Sequence, residues 1–261
     1  MRKRYSLVVA IAMLAAVGTA LAESPWTGTW KMDPSQSKLT GDTVHFASGA
    51  GGEMMYTSGG HTTKFKLDGN PVKTWAGDEV SWKKVDDNTY QSHTTANGVD
   101  VGTDTWTIAP DGKSLKIEGK GTRPDGKSFD DTAEYKRISG IEGHGLVGSW
   151  KSTKASVNEE QIYKIAEKGR NELSWDIPAI KGVLDAKLDG KDYAPEGPTV
   201  PKGLTIALVR SSPRALKLVE KMNGETVYHS TMTLSADGKK FTEIGSPAKT
   251  NEPITQVWIK Q

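Results

Sequence analysis

The chain contains the same strand opening twice. GTWK at 28–31 recurs as GSWK at 148–151, a shift of 120 residues. Further short matches follow in the same order: KLDG at 66–69 and 187–190, NG at 97–98 and 223–224, and PDGK at 110–113 with ADGK at 236–239. Because the matches are collinear, we interpret them as a duplication, which predicts two similar structural units.

The repeat positions set the expected boundaries. We predict a first unit at residues 23–138 and a second at 146–261. Residues 139–145 (SGIEGHG) join them as a linker, because glycine-rich segments have little intrinsic structure. Each unit is then about the size of an ordinary small domain.

The first 22 residues have the pattern of a secretory signal peptide. Arg2, Lys3 and Arg4 precede an apolar run, and Ala20-Leu21-Ala22 is a small-x-small cleavage pattern. The apolar run is shorter than the ~20 residues that a membrane-spanning helix needs. We therefore expect cleavage after Ala22 and a periplasmic or secreted mature protein without a transmembrane segment.

Charge and cysteine content exclude several classes of protein. The 34 Lys and Arg residues oppose 32 Asp and Glu. Removing the signal leaves 31 against 32, a net charge of about −1 with His neutral. No basic stripe remains, so a nucleic acid is not an expected partner. The chain has no cysteine, so burial and backbone pairing must stabilise an exported fold without disulfides.

Apolar residues alternate with polar ones along most of each repeat. ELSWDI places Leu173, Trp175 and Ile177 on one side, which is the period of a β-strand. Asp-Gly and Asn-Gly dipeptides between such runs are typical of tight hairpins. The pattern predicts an all-β protein with two tandem antiparallel up-and-down barrels of about 8–10 strands each, because closing a meander removes its exposed edges.

Residues 157–168 carry signals for both a helix and a strand. Ser156 and Glu159 fit a capping box, and Ile162, Ile165 and Ala166 have helical spacing. The matching segment of the first repeat is rich in β-branched residues and glycine. We therefore predict a strand here, with a helix as the alternative.

The motifs resemble a known group of barrels. GTWKMDPSQSKL, KLDG, the late DGK hairpins and the closing AEYKR resemble exported bacterial lipocalin-like (calycin-type) β-barrel proteins, a group without settled function. The resemblance covers each repeat. It implies that Trp30 and Trp150 close one end of each barrel. It also implies that Arg137 stacks on Trp30, with Lys260 in the corresponding place in the second repeat.

Catalytic and metal-binding patterns are missing from the sequence. No two of the five His residues have ligand spacing, and no cysteine assists them. There is no nucleophile elbow, P-loop or dinucleotide fingerprint. We therefore predict no cofactor, no metal and no enzymatic activity, although an enzyme for a small hydrophobic substrate stays a weaker option.

The remaining hypothesis concerns the barrel interior. An eight-stranded barrel is either filled by side chains or holds one small ligand. We expect an exported, non-enzymatic protein that binds a small apolar or amphipathic molecule; the alternative is a structural or interaction module of the cell envelope with filled barrels. The predicted cavity residues are Trp82, Tyr90 and Trp106 in the first repeat and Leu208, Leu216 and Met232 in the second.

Overall fold

The computed structural model describes residues 24–140, 145–157, 160–250 and 252–261. Within these ranges, strands β1–β20 form two antiparallel sheets of ten strands, and the helical segments are two short 3-10 turns at Ala50–Gly52 and Pro178–Ile180. No helix among the described residues is long and apolar enough to cross a membrane. The predicted signal peptide at 1–22 lies outside the described residues.

The first sheet forms a nearly closed barrel, called here the first barrel. Its edge strands follow each other in the chain, so the sheet curls back on itself. Its strands are β2 (Thr43–Ser48), β3 (Glu53–Ser58), β4 (His61–Lys66), β5 (Val72–Lys73), β6 (Glu79–Lys84), β7 (Thr89–Ala96), β8 (Val99–Ile108), β9 (Ser114–Thr122), β10 (Ser128–Ser139) and β11 (Gly148–Ser156).

The second sheet forms a second nearly closed barrel of the same design. Its strands are β1 (Gly28–Met32), β12 (Ile162–Gly169), β13 (Glu172–Ile177), β14 (Gly182–Lys187), β15 (Asp189–Tyr193), β16 (Leu204–Ser212), β17 (Ala215–Met222), β18 (Glu225–Leu234), β19 (Lys240–Pro247) and β20 (Ile254–Lys260). The all-β fold with two tandem barrels is therefore confirmed. In the segment 157–168, whose helix and strand signals conflicted, residues 162–168 lie in strand β12, and residues 158–159 lie outside the described residues.

The two repeats exchange their first strands. Strand β1 pairs with β12 and β20 of the second repeat, whereas β11 pairs with β2 and β10 of the first. The sheets thus differ from the expectation that residues 23–138 and 146–261 each close a barrel alone. The exchange is possible because GTWK and GSWK have the same alternation, with Trp inward and Lys outward, so either strand fits either place.

The exchanged strands carry the two repeated tryptophans. Trp30 and Trp150 are fully buried, and each indole Nε1 donates a 2.8 Å hydrogen bond to the carbonyl four residues earlier. The expected pairing of Arg137 with Trp30 is wrong, because the strand exchange brings Trp150 beneath the Arg137 guanidinium, 3.9 Å from its ring centroid. Lys260 lies over Trp30 instead, at 5.4 Å.

The glycine of each Gly-x-Trp motif makes room for the cation above the ring. Gly28 and Gly148 have φ values of +142° and +130°, which side chains other than glycine rarely adopt. A Cβ at Gly28 would lie 2.5 Å from Lys260 Cε, and one at Gly148 would lie 2.9 Å from Arg137 Nη1. The motif therefore builds a cation-capped tryptophan in each barrel.

The two barrels contact each other through loops and strand ends. The Thr43 amide donates to Glu252 Oε2 at 3.1 Å, and the Asn97 side-chain amide donates to the Val200 carbonyl at 2.7 Å. Within the second barrel, Lys31 on the exchanged strand β1 forms an ion pair with Glu160, which lies just before β12, at 2.6 Å. We call this region the junction, because it carries both the strand crossings and the contacts between barrels.

Candidate functional site

The second barrel contains a cavity of about 240 Å³. Its walls are mostly apolar side chains that point inward from six strands, because residues two apart on a strand face the same side. The residues central to its lining are Tyr163, Trp175, Ile206, Leu208, Leu218 and Met232. Engineered cavities of about 150 Å³ with similar walls already bind benzene. This cavity therefore has room for one ring with a short chain.

Two carboxylates line the same cavity. Glu220 lies on β17, in register with Leu216, Leu218 and Met222, and all four follow the inward alternation of that strand. Glu243 lies on β19, two residues after the fully buried Phe241, and only 5% of its surface is exposed. An otherwise apolar cavity thus holds two acidic groups on nearby strands.

Burial changes the ionisation of this pair. The loss of solvent raises the pKa of Glu220 to about 7, and the charge of Glu243 adds to this effect. Burial also raises the pKa of Glu243, against a smaller opposite contribution from the Ser230 hydroxyl. Both shifts follow from the cost of placing a negative charge where the protein limits its contact with water. Near neutral pH Glu220 is therefore partly protonated, whereas an ordinary exposed glutamate would be ionised.

A second cavity of about 480 Å³ adjoins the first at the junction. The two cavities share Tyr163, Glu220 and Glu243 in their linings. The first barrel supplies part of the outer wall through His61 and Trp75, whose rings stack at 3.9 Å. The carboxylates thus lie between the apolar cavity and a wider space that both barrels border.

The interior of the first barrel is filled by aromatic rings. Trp82 and Trp106 pack with centroids 5.0 Å apart, and Phe65 stacks on Trp82 at 4.7 Å. Phe46 and Tyr56 pack against the same two tryptophans at 5.7–6.0 Å. These rings pack as one cluster in the core of the first barrel.

The polar residues inside the first barrel bond to one another. The Trp106 indole donates to Ser92 Oγ at 2.9 Å, and the Ser92 hydroxyl donates to Asp104 Oδ2 at 3.4 Å. Burial raises the pKa of Asp104. Side-chain hydrogen bonds therefore satisfy the Ser92 hydroxyl inside the core of the first barrel.

The predicted cavity residues divide between the barrels. Leu208 and Met232 line the cavity of the second barrel, while Leu216 is fully buried in the surrounding core. Trp82, Tyr90 and Trp106 belong to the filled core of the first barrel. A ligand-binding role for any of them stays a prediction.

Sequence reasoning missed the two carboxylates and Tyr163. Strand alternation could have predicted that Glu220 and Glu243 point inward. In LKLVEKM and KFTEIG they lie an even number of residues from the inward Leu216 and Phe241. Tyr163 could be found only after residues 162–169 were assigned to a strand.

Metal ligands are not grouped in the part of the chain that is described. No cluster of three or more His, Cys, Asp or Glu residues there could hold a metal ion. His45, His61, His93 and His229 lie on separate strands, and His144 lies outside the described residues. The chemical groups that this site offers are therefore two titratable carboxyl groups in a mainly apolar cavity.

Comparison with known proteins adds no family to these observations. No protein-family model, curated protein or solved structure matches the chain.

Proposed function

We propose that the chain is an exported lipocalin-like binding protein that holds one small, mainly apolar molecule inside its second barrel. The observation that carries the proposal is the 240 Å³ cavity lined by Trp175, Leu208 and Met232. Concave apolar sites with a few polar groups are the usual form of small-molecule sites. Export is supported by the signal-like segment at 1–22, and the lipocalin-like assignment by the repeated Gly-x-Trp motif.

The first barrel has a different part in this proposal. Its aromatic filling favours the alternative of a structural module for that half of the chain. It supplies β2 and β10, the strands that pair with β11, and it supplies His61 and Trp75, which line part of the second cavity. We propose that it supports the second barrel and borders the ligand's entrance.

The size of the cavity sets the test. Purified residues 23–261 are titrated with ring-sized probes such as indole and propylbenzene, and with larger fatty acids, retinoids and haem, while tryptophan emission is followed. We expect saturable binding of the ring-sized probes and none of haem. A failure of every probe to shift the emission would overturn the proposal.

A matched pair of variants locates the binding. Leu218→Phe narrows the cavity, because Leu218 lines it, and should weaken ring-sized probes at least tenfold. Ile244→Phe is the control, because Ile244 is 54% exposed on the outer face of β19. Equal loss of binding in both variants would show that the cavity is not the site.

An enzyme is a second candidate function. It is favoured by Glu220, whose pKa of about 7 suits a general acid or base beside a substrate cavity. NMR of a bound probe over hours separates the two functions, since an unchanged probe supports binding alone. Conversion, or exchange of its carbon-bound hydrogens for deuterium, would support catalysis.

A further inference from the structure

No cation among the described residues lowers the pKa of either cavity carboxylate. Within the described ranges, neither Glu220 nor Glu243 forms a salt bridge. A protein interior rarely keeps acidic groups without a counter-charge, because an unpaired buried charge is costly. These two groups line a cavity with room for a ligand, so the missing counter-charge can come from that ligand.

We propose that the second barrel prefers a small organic cation, an apolar ring or short chain that carries a protonated amine. Its ammonium group would bind Glu220 and Glu243, and its apolar part would lie against Trp175, Leu208 and Met232. This inference rests on the proposed function, since it names the ligand class of the same cavity.

The surroundings of the carboxylates favour a monocation. Each strand packed around Glu220 offers acidic or neutral groups there: Tyr163 on β12, Tyr228 on β18 and Glu243 on β19. On β16, Glu220 pairs opposite the apolar Ile206, whereas the cation Arg210 pairs opposite Leu216. The single positive charge of an ammonium group would balance one negative charge of the Glu220–Glu243 pair.

The aromatic wall adds a second preference for positive charge. Tyr163 and Trp175 meet edge to face with centroids 5.5 Å apart, and both line the cavity. Aromatic faces attract organic cations, most strongly where water is excluded. A ligand carboxylate would instead meet two acidic groups, and a divalent metal would find too few oxygen ligands.

Proton release gives the proposal a distinct signature. Because Glu220 is partly protonated near neutral pH, an ammonium ligand favours its ionised form and displaces a proton. Affinity for an amine should therefore rise as the pH increases from 5 to 8, whereas that for an uncharged analogue should stay level.

Calorimetry with three probes of similar size tests the proposal: 2-phenylethylamine, 2-phenylethanol and 3-phenylpropanoate. At pH 8 we expect the amine to bind at least tenfold more tightly than the alcohol, and the carboxylate to bind most weakly. Titration of the amine in two buffers of different ionisation enthalpy should show proton release. The alcohol should release none.

Variants separate this inference from the proposed function. Glu220→Gln with Glu243→Gln should abolish the amine's advantage and keep alcohol binding, and Glu225→Gln is the control because Glu225 already pairs with Lys249 on the surface. If the double variant does not fold, the pH profile of the unaltered protein decides. Equal affinity of amine and alcohol at pH 8 overturns the inference alone, and no binding of either overturns the proposed function as well.

Discussion

Replacing Glu220 by glutamine should make the stability of the protein less dependent on pH. In the folded state burial, together with the charge of Glu243, raises the pKa of Glu220 from 4.5 to about 7. The folded state therefore holds the proton more tightly than the unfolded chain does. A raised carboxyl pKa gives its full stability below about pH 4.5, and that stability is lost as the pH rises through about 7.

The size of the effect follows from the pKa difference. Each pKa unit corresponds to 1.36 kcal/mol, so ionisation of Glu220 should lower the free energy of unfolding by about 2–3 kcal/mol between pH 5 and pH 8. Glutamine at this position cannot ionise. Any cost of the amide itself is the same at both pH values and cancels in the comparison.

Urea unfolding at pH 5 and pH 8 measures this difference. At each pH, the free energy of unfolding of the unaltered protein is subtracted from that of Glu220→Gln. This difference should be about 2–3 kcal/mol larger at pH 8 than at pH 5. Glu225→Gln is the matched control, because Lys249 lowers the pKa of this exposed carboxyl, so any pH effect there has the opposite sign. The same difference for Glu220→Gln at both pH values would refute a raised pKa of Glu220 in this cavity.

Two further predictions concern the exchanged strands and the cation that lies over Trp150. Arg137→Lys should lower stability by about 3 kcal/mol in urea unfolding, because lysine cannot keep the stacking on Trp150 together with three guanidinium hydrogen bonds of 2.6–2.8 Å to backbone carbonyls; an unchanged midpoint would contradict this role. Lys31→Cys with Ile259→Cys should form an intramolecular disulfide on oxidation, since these residues are directly opposite on β1 and β20. Lys31→Cys with Lys136→Cys should form no disulfide. A disulfide in this second pair and none in the first would mean that each repeat closes its own barrel.

Sequence patterns could predict the barrels but not the strand exchange. The collinear repeats and the period of two contain enough information for two antiparallel barrels and for the inward residues of each. GTWK and GSWK are nearly identical, so local sequence offers no preference between their two possible neighbours. The choice depends on how the connecting segments cross the junction, which no pattern along the chain records.

The candidate site was predictable in part. Leu208 and Met232 followed from strand alternation, and both line the cavity. The difference between the barrels was not predictable, because it depends on how the rings of Phe46, Tyr56 and Trp106 pack together in three dimensions. A filled and a hollow barrel share the same alternation.

Methionine methyl NMR tests most directly whether the second barrel is a binding site. The chain has seven Met residues, of which Met232 lines the cavity of the second barrel and Met54 packs against the core of the first. With the methyl groups labelled with ¹³C, titration with 2-phenylethylamine at pH 8 should move the Met232 resonance to saturation and leave that of Met54 in place. A Met232 resonance that stays fixed with this amine and with propylbenzene would contradict a ligand site in the second barrel.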